Sequence, residues 1–494
     1  MNRREFVKAM GLGAAALAMP GCMQNLAGPE RSKPNFVIIF TDDQGYADVG
    51  CYGAEGFTTP NLDRMASEGM RFTDFYSSNA VCSPSRASLL TGCYPTRVSI
   101  PDVLFPGGED IGLNPEEITI ADLLKTRGYA TACIGKWHLG HKPDFLPTRQ
   151  GFDMYYGIPY SNDMEIDPKM ELAGDIKLNE GMTVERIRTE EPRGHRVPLM
   201  RDEQVIEYPC DQSTLTKRYT EKALEFITAN QNRPFFLYLP HTMPHVPLFA
   251  SEKFKGKSER GIYGDVIMEI DFSVGQILST LKRLGLDDNT LVIFTCDNGP
   301  WLAFGGHGGS AKPLREGKFT TFEGGFRAPC IMRWLGKIPA QKVCSEVAGT
   351  IDFLPTIAHL ASVPVPDDRV IDGKNIWPLM TAEAGARSPH EAYFYYHEND
   401  LQAVRSGKWK LHFPHEYHKV IEPGSDGRGG EVDQGWIGLS LFDLENDIGE
   451  QHDVSDGHPD VVERLTAFAD KMRADIGDAA TRVKGKNIRP PGRV

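Results

Sequence analysis

The chain of 494 residues has no basic surplus: 54 Lys and Arg stand against 67 Asp and Glu, a formal net charge of −13. Nucleic-acid binding rests on a basic footprint, so that class of partner is excluded. An anionic ligand would have to be drawn by a few cationic groups focused in a cleft. No apolar run reaches the ~20 residues that a membrane-spanning helix needs. Internal repeats and low-complexity tracts are also missing. Among nine cysteines there is no Cys-x-x-Cys, which removes zinc ribbons and thioredoxin-type sites. Cys133, Cys296 and Cys330 lie inside apolar runs, where a thiol reads as a small buried hydrophobe. What remains is ordinary: 40% hydrophobic and 24% charged residues, enough for a large core that needs no disulfides.

The N-terminus reads as an export signal. Asn2–Lys8 is basic and Ala9–Met19 is a short apolar run, so residues 1–21 are expected to be a signal peptide. Arg3-Arg4 with Phe6 and Lys8 resembles the twin-arginine export signal, and Gly21-Cys22 resembles a lipoprotein cleavage site. The expected destination is the periplasm or the cell envelope, with a lipid anchor at Cys22 as the one membrane contact. Twin-arginine export carries folded proteins out of a reducing cytoplasm, so few or no disulfides are expected.

From about Pro34, short apolar runs alternate with amphipathic stretches. Phe36–Phe40, Ala130–Ile134, Phe235–Leu239 and Leu291–Thr295 read as strands. Asn61–Ser67, Glu116–Arg127, Ser213–Ala229 and Val266–Leu284 read as helices, with Leu215, Tyr219, Ala223, Phe226 and Ile227 at helical spacing. Such alternation predicts an α/β fold: a large, mostly parallel sheet sandwiched by helices. The Pro-rich connector Val363–Asp368 separates this part from short strand-like pieces at Ala392–Tyr396, Gln402–Arg405, Trp409–Phe413 and Ser440–Asp443. Turns are expected at Ser406-Gly407 and within Gly424–Gly430, and a helix at Pro459–Arg473. The expected division is a catalytic domain at 33–362 and a C-terminal subdomain at 376–480, a small antiparallel sheet with one helix.

Each of the four strands runs into a polar cluster: Thr41-Asp42-Asp43, Gly135-Lys136-Trp137-His138, Pro240-His241 through His245, and Cys296-Asp297-Asn298-Gly299. Ligands of open α/β sheets bind beyond the carboxyl ends of strands, so the four clusters should converge. Asp42, Asp43, Asp297 and Asn298 offer only oxygen donors, which suits Ca²⁺ or Mg²⁺ rather than Zn²⁺. A single Asp at a strand end is more often a turn or cap residue; it is the two pairs together that argue for a metal. Lys136 and His138 stand two apart after a strand, and His245 lies between Pro244 and Pro247.

Cys82-Ser83-Pro84-Ser85-Arg86 reads as a helix start, with Pro84 in the first turn and Ser83 as its cap. That puts Cys82 where backbone N–H groups favour an anion, with Arg86 one turn on. Cys82 is thereby a candidate nucleophile. A soft thiolate is nonetheless a poor neighbour for a hard, oxygen-ligated cation, and a harder group at this position fits better.

Cys82-Ser83-Pro84-Ser85-Arg86 followed by Leu90-Thr91-Gly92 resembles the signature of the type I sulfatases of the alkaline-phosphatase superfamily. The companions stand in the family's order: Thr41-Asp42-Asp43, Gly135 to Gly140, Gly151-Phe152-Asp153, Pro244 to Pro247, Asp297-Asn298-Gly299, Gly317-Lys318 and Glu323-Gly324-Gly325. The resemblance spans nearly all of residues 33–475. It implies that Cys82 is oxidised to formylglycine by a maturation enzyme, and that Asp42, Asp43, Asp297, Asn298 and residue 82 hold Ca²⁺, in preference to Mg²⁺. It further implies that Arg86 stabilises the hydrated aldehyde and that Lys136 and Lys318 bind sulfate oxygens. His138 would orient or deprotonate the nucleophile, and His245 would protonate the leaving alcohol. One oxygen of the gem-diol would attack sulfur and the other would later expel sulfate, a second step closed to plain Cys or Ser. The stretch Gly157–Asp163 resembles the arylsulfatase A group, and Thr320–Gly325 resembles that group and N-acetylgalactosamine-6-sulfatase; on this basis Ser161 is a substrate-binding candidate. His307 and His397 read first as loop residues, with a place in the substrate pocket as the alternative.

The expected function is hydrolysis of sulfate monoesters, on a sulfated carbohydrate above all. Two alternatives stand beside it: a phosphodiester or phosphonate monoester hydrolase of the same superfamily, and a binding protein that keeps the fold without the chemistry. The intact set Cys82, Lys136, His138, His245 and Lys318 argues against the last. Cys93 and the loops over Asp163–Cys210 are not assigned by sequence.

Overall fold

The computed structural model describes residues 33–108, 110–190 and 194–494. Residues 1–21 and Cys22, the expected export segment and anchor site, lie outside the described residues. Among the described residues, no helix is long and apolar enough to cross a membrane.

The architecture follows from four apolar runs too uniform to leave a face in water. Thr290–Cys296, Asn35–Thr41, Phe235–Pro240 and Ala130–Ile134 are buried at every position. With Met154–Gly157 they form, in that spatial order, five parallel neighbours at the centre of an 11-stranded sheet. Beyond Thr290–Cys296 come antiparallel Cys330–Arg333, then Met70–Phe72 and Lys342–Cys344. Beyond Met154–Gly157 come Leu199–Arg201, Gln204–Tyr208 and Leu172–Leu178.

Strands buried on both faces need helices on both faces. Helices Pro60–Ser67, Leu215–Ala229 and Ile262–Arg283 pack among themselves as one group, and Cys82–Thr91, Ile120–Lys125 and Phe353–Leu360 as another. In Leu215–Ala229 the residues at helical spacing, Leu215, Tyr219, Ala223, Phe226 and Ile227, are all buried, together with Thr216 and Thr220. The helix expected from Glu116 starts later, at Ile120. There Thr119 Oγ1 accepts from Asp122 N and Asp122 Oδ2 accepts from Thr119 N, a capping box that defines the first turn.

The C-terminal part holds a four-stranded antiparallel sheet in the order Tyr393–His397, Asp400–Ser406, Trp409–His412, Ser440–Asp443, backed by helix Pro459–Ile476. A separate two-stranded hairpin, His415–Glu422 with Glu431–Ile437, leaves this sheet and reaches back over the larger domain. The eight described cysteines are free thiols.

Candidate active site

The register of the central strands brings their carboxyl ends level. Thr41 pairs with Cys296 and Phe40 with Pro240. The ladder continues one step further: Asp297 N donates to Thr41 O at 3.1 Å, His241 N to Phe40 O at 2.8 Å and Lys136 N to Pro240 O at 2.7 Å. Asp42, Asp43, Asp297, Asn298, Lys136 and the His241–His245 segment therefore leave the sheet at one edge, as their positions after strands predict. Asp43, His138 and Phe319 all carry side chains at positive φ, +60°, +59° and +72°.

Carboxylates and cations interlock here, all buried. Lys136 Nζ donates to Asp42 Oδ2 at 2.6 Å, and Lys318 Nζ to Asp43 Oδ2 at 2.8 Å. Arg86 Nη2 donates to Asp297 Oδ2 at 2.7 Å and lies 3.5 Å from Asp42 Oδ2, while its Nη1 donates to Lys136 O at 2.9 Å. Asn298 Nδ2 donates to Asp43 Oδ1 at 2.7 Å. Burial is the largest influence on Asp42 and pushes its carboxyl up, but Lys136, His245, Arg86 and Lys318 together hold it well below the usual carboxylate range. For Asp297 the balance is reversed: burial and the Asp42 charge push it up to about 7, against Arg86 and Lys136. The pocket thus favours added positive charge beside Asp297.

The donors fit a divalent cation. Asp42 Oδ1 and Asn298 Oδ1 are buried oxygens without a hydrogen-bond partner among the described residues. Buried acceptors of this kind are rare unless something absent from the protein atoms satisfies them. Ligand atoms of Asp42, Asp43 and His245 lie within 4.8 Å of one another. Asp297 and Asn298 join that group through Asp43, whose backbone N donates to Asp297 Oδ1 at 3.1 Å.

Cys82 is the first residue of helix Cys82–Thr91 and is buried. The capping expectation does not hold: Val81 is the N-cap without a side-chain bond, and Ser83 Oγ instead accepts from Leu104 N at 3.1 Å. Uncapped N–H groups are what an anion at this helix start requires. Burial pushes the Cys82 thiol up to about 11, although Lys136 and Lys318 oppose it. The encoded thiol therefore stays protonated at neutral pH, the opposite of an activated thiolate.

Two histidines present opposite ring nitrogens. His138 Nε2 lies 3.0 Å from Leu104 O, which only accepts, so Nε2 carries the proton and the buried Nδ1 is a bare acceptor. Burial, then Lys136 and Arg86, hold His138 neutral. His245 Nδ1 lies 2.6 Å from Val246 O, so its proton sits there and Nε2, 3.6 Å from Asp43 Oδ2, is the exchanging atom. Burial, then Lys318, lower the His245 pKa. Its ring centroid is 5.6 Å from that of Trp301, and Lys318 Nζ lies 4.4 Å over the Trp301 ring.

The structure brings Ser161 to the site: its Oγ accepts from Lys136 Nζ at 3.1 Å. Sequence reasoning passed over Asp163 two residues on. Burial pushes its carboxyl up, but His245, a Ser161 hydrogen bond and Lys136 hold it low. The two-residue spacing from Ser161 is the signal that was available. His397 is half-buried within electrostatic reach of Asp102 and His418. His307 instead sits under the hairpin tip, 3.4 Å from where a Cβ on Gly427 would lie.

A parallel sheet whose carboxyl ends gather oxygen donors, two lysines, an arginine and two histidines around an anion-ready helix start defines a metal-assisted hydrolase of anionic esters. The chain matches the Sulfatase family over residues 34–363 and the C-terminal region of aryl-sulfatase over residues 388–491. It belongs to the sulfatase family, enzymes that hydrolyse sulfate esters. Arylsulfatase A of Homo sapiens is 38% identical over 471 residues, 91% of this chain and 89% of that one. N-acetylgalactosamine-6-sulfatase of Canis lupus familiaris is 39% identical over 421 residues, 82% of this chain and 74% of that one. Among solved structures, Ps i-CgsB in complex with k-i-k-neocarrahexaose is similar at TM-score 0.74 and 30% identity, covering 89% of this chain and 93% of that one.

Proposed function

We propose that this sulfatase removes sulfate from a sulfated carbohydrate, using a formylglycine made from Cys82 by a maturation enzyme and a Ca²⁺ ion held by Asp42, Asp43, Asp297, Asn298 and residue 82. The observation that carries the reading is the convergence of Lys136, Lys318, Arg86 and two orphaned acceptor oxygens on the uncapped helix start at Cys82. The oxygen-rich donor set favours Ca²⁺ over softer cations. The relatives named for N-acetylgalactosamine 6-sulfate and bound to a neocarrahexaose support a carbohydrate. The ion and the aldehyde hydrate would supply a polarised sulfate and a hydroxyl nucleophile.

The chain's own residues divide the remaining work. Lys136, Lys318 and Ser161 bind the sulfate oxygens and stabilise charge developing there. Arg86 fixes Asp297 and Lys136 O from behind. The bare Nδ1 of His138 receives a proton from the nucleophile at residue 82. His245 Nε2 delivers a proton to the leaving oxygen from the doubly protonated ring, a form that burial and Lys318 oppose and that Asp43, Asp42 and Asp163 favour. The export signal read from residues 1–21 supports an exported enzyme, anchored through Cys22 where lipidated; N-terminal sequencing of the mature protein checks both.

Mass spectrometry of the peptide carrying residue 82 is expected to show an aldehyde, with sulfur and two hydrogens lost and one oxygen gained, and the purified enzyme is expected to release sulfate from sulfated oligosaccharides. Cys82→Ala is expected to lower turnover by at least about 10⁴-fold with an unchanged circular-dichroism spectrum. An unmodified Cys82 in fully active protein overturns the mechanism. A faster rate on an aryl phosphodiester than on the matched aryl sulfate overturns the substrate.

A further inference from the structure

The hairpin His415–Glu422/Glu431–Ile437 is held by one face and open on the other. On the held face Tyr417 is buried, its ring 4.9 Å from Phe322 and its hydroxyl accepting from Arg315 Nη2 at 3.4 Å. A Cβ on Gly435, the partner of Tyr417, would come within 2.4 Å of that ring. The tip is tied down as well: Gly424 N and Gly430 N both donate to Ala303 O, at 2.9 and 2.8 Å. A ribbon this firmly fixed presents its other face without ordering cost.

That other face carries three cross-strand pairs: Val420 with Val432, His418 with Gln434 and Glu416 with Trp436. Side chains two apart along a strand share a face, and diagonal neighbours are within an aromatic ring's reach. Its inner end is continuous with the active site. Val420 and His418 line a small cavity with Trp301, Lys318 and Phe319, and the His418 ring lies 5.4 Å from Phe319. Phe319 is held at positive φ by its N–H donating to Ala80 O at 3.1 Å, two residues before Cys82. Val432, the partner of Val420 at this inner end, is 41% exposed, and Trp436 at the outer end is 65% exposed. Large apolar side chains left in water along a path that starts at a catalytic lysine mark a surface that a ligand covers.

We propose that this face of the hairpin is the subsite for the sugar units on the leaving-group side of the sulfate, with Trp436 as its stacking platform. The inference rests on the carbohydrate sulfatase reading and narrows it to an oligomeric substrate. His245, the proton donor to the leaving oxygen, packs against Trp301 on this same side, so the departing alcohol points along the ribbon. Apolar ring faces with polar His418 and Gln434 between them suit a sugar, which has apolar faces and polar edges.

The test compares Trp436→Ala with the parent on a neocarrahexaose-type sulfated hexasaccharide, a chondroitin sulfate hexasaccharide and a small aryl sulfate. The expected fall in kcat/KM is at least about tenfold larger on one of the hexasaccharides than on the aryl ester, lies mainly in KM, and is reversed by Trp436→Phe. An equal fall on all three substrates, or none on any, overturns the subsite. Equilibrium binding of the two hexasaccharides is measured in parallel, to Cys82→Ala and to Cys82→Ala with Trp436→Ala. A weakening of about tenfold or more supports the subsite even if the parent hydrolyses neither hexasaccharide, which would sink the proposed substrate alone. Unchanged binding, or none to Cys82→Ala, overturns the subsite.

Discussion

Asp42 and Asn298 each keep one buried oxygen without a partner among the described residues, while the other polar atoms of both side chains are bound. An uncompensated buried acceptor costs about 1–3 kcal/mol, and these two, on Asp42 beside Asp43 and on Asn298 bonded to Asp43, fit a bound cation. Exhaustive chelation is therefore expected to cut activity by at least about 100-fold and to lower the melting temperature, because an ion bound only by the folded state stabilises it. Ca²⁺ should restore both more fully than Zn²⁺, with metal content and melting curves as the readout. Lys318 gives a second expectation. Its ammonium is fixed by Asp43 Oδ2 and by the Trp301 ring, and Lys318→Met should lower kcat/KM by about 10²–10³-fold and also lower the melting temperature, because Asp43 loses a buried partner. Much of this was legible in the sequence, because strand ends and helix starts are local signals that place a residue before any contact is known. Asp163 was not, although it stands two residues from Ser161, because its interaction with His245 joins segments far apart in the chain. Nor was the failure of Ser83 as a cap: the helix already starts at Cys82, so Ser83 lies inside the first turn and its Oγ accepts from Leu104 N.

Elements were legible where burial is uniform. The four central strands extend the predicted spans by no more than a residue at either end, and the small C-terminal sheet follows its sequence pattern closely. The strands Leu172–Leu178, Leu199–Arg201 and Gln204–Tyr208 were unread because the sheet edge mixes exposed and buried positions without clean alternation. The hairpin was unread for a related reason. Only its turn region stands out, while HEYHKVIE and EVDQGWI bury little beyond His415, Tyr417, Gly435 and Ile437. The seat of its Tyr417 ring depends on one glycine. Gly435→Ala places a methyl against the Tyr417 ring and is expected to cost about 1–3 kcal/mol locally, read as faster amide exchange across both hairpin strands with the central sheet unaffected.

At the scale of the whole molecule, one buried ionic network joins the catalytic sheet to the C-terminal sheet. Glu323 accepts from Lys410 Nζ at 2.9 Å and Arg327 Nη1 at 3.2 Å, and from Tyr76 OH at 2.6 Å; Arg405 Nη1 lies 3.9 Å away. Lys410 also meets Glu450 at 2.9 Å, and Glu450 Oε2 accepts from Glu323 N at 2.7 Å. Beside it, the backbones of Gly299 and Gly324 approach so closely that a Cβ on Gly299 would sit 1.7 Å from Gly324 O. The Glu323-Gly324-Gly325 motif thus packs the C-terminal sheet against the Asp297-Asn298 turn. Burial, the largest influence, pushes the Glu323 carboxyl up, but Lys410, Arg327 and Arg405 together hold it well below its ordinary value. A carboxylate depressed in the folded state contributes stability above its unfolded pKa of about 4.3 and loses it as pH falls below that. Removing one partner from a buried network costs about 3–5 kcal/mol, so Glu323→Gln should melt well below the parent at pH 7. The gap between the two melting curves should narrow as the pH is taken below about 4.3, where the parent alone gives up the contribution of an ionised Glu323. A gap that stays constant across that range would show that Glu323 acts through shape and not through charge.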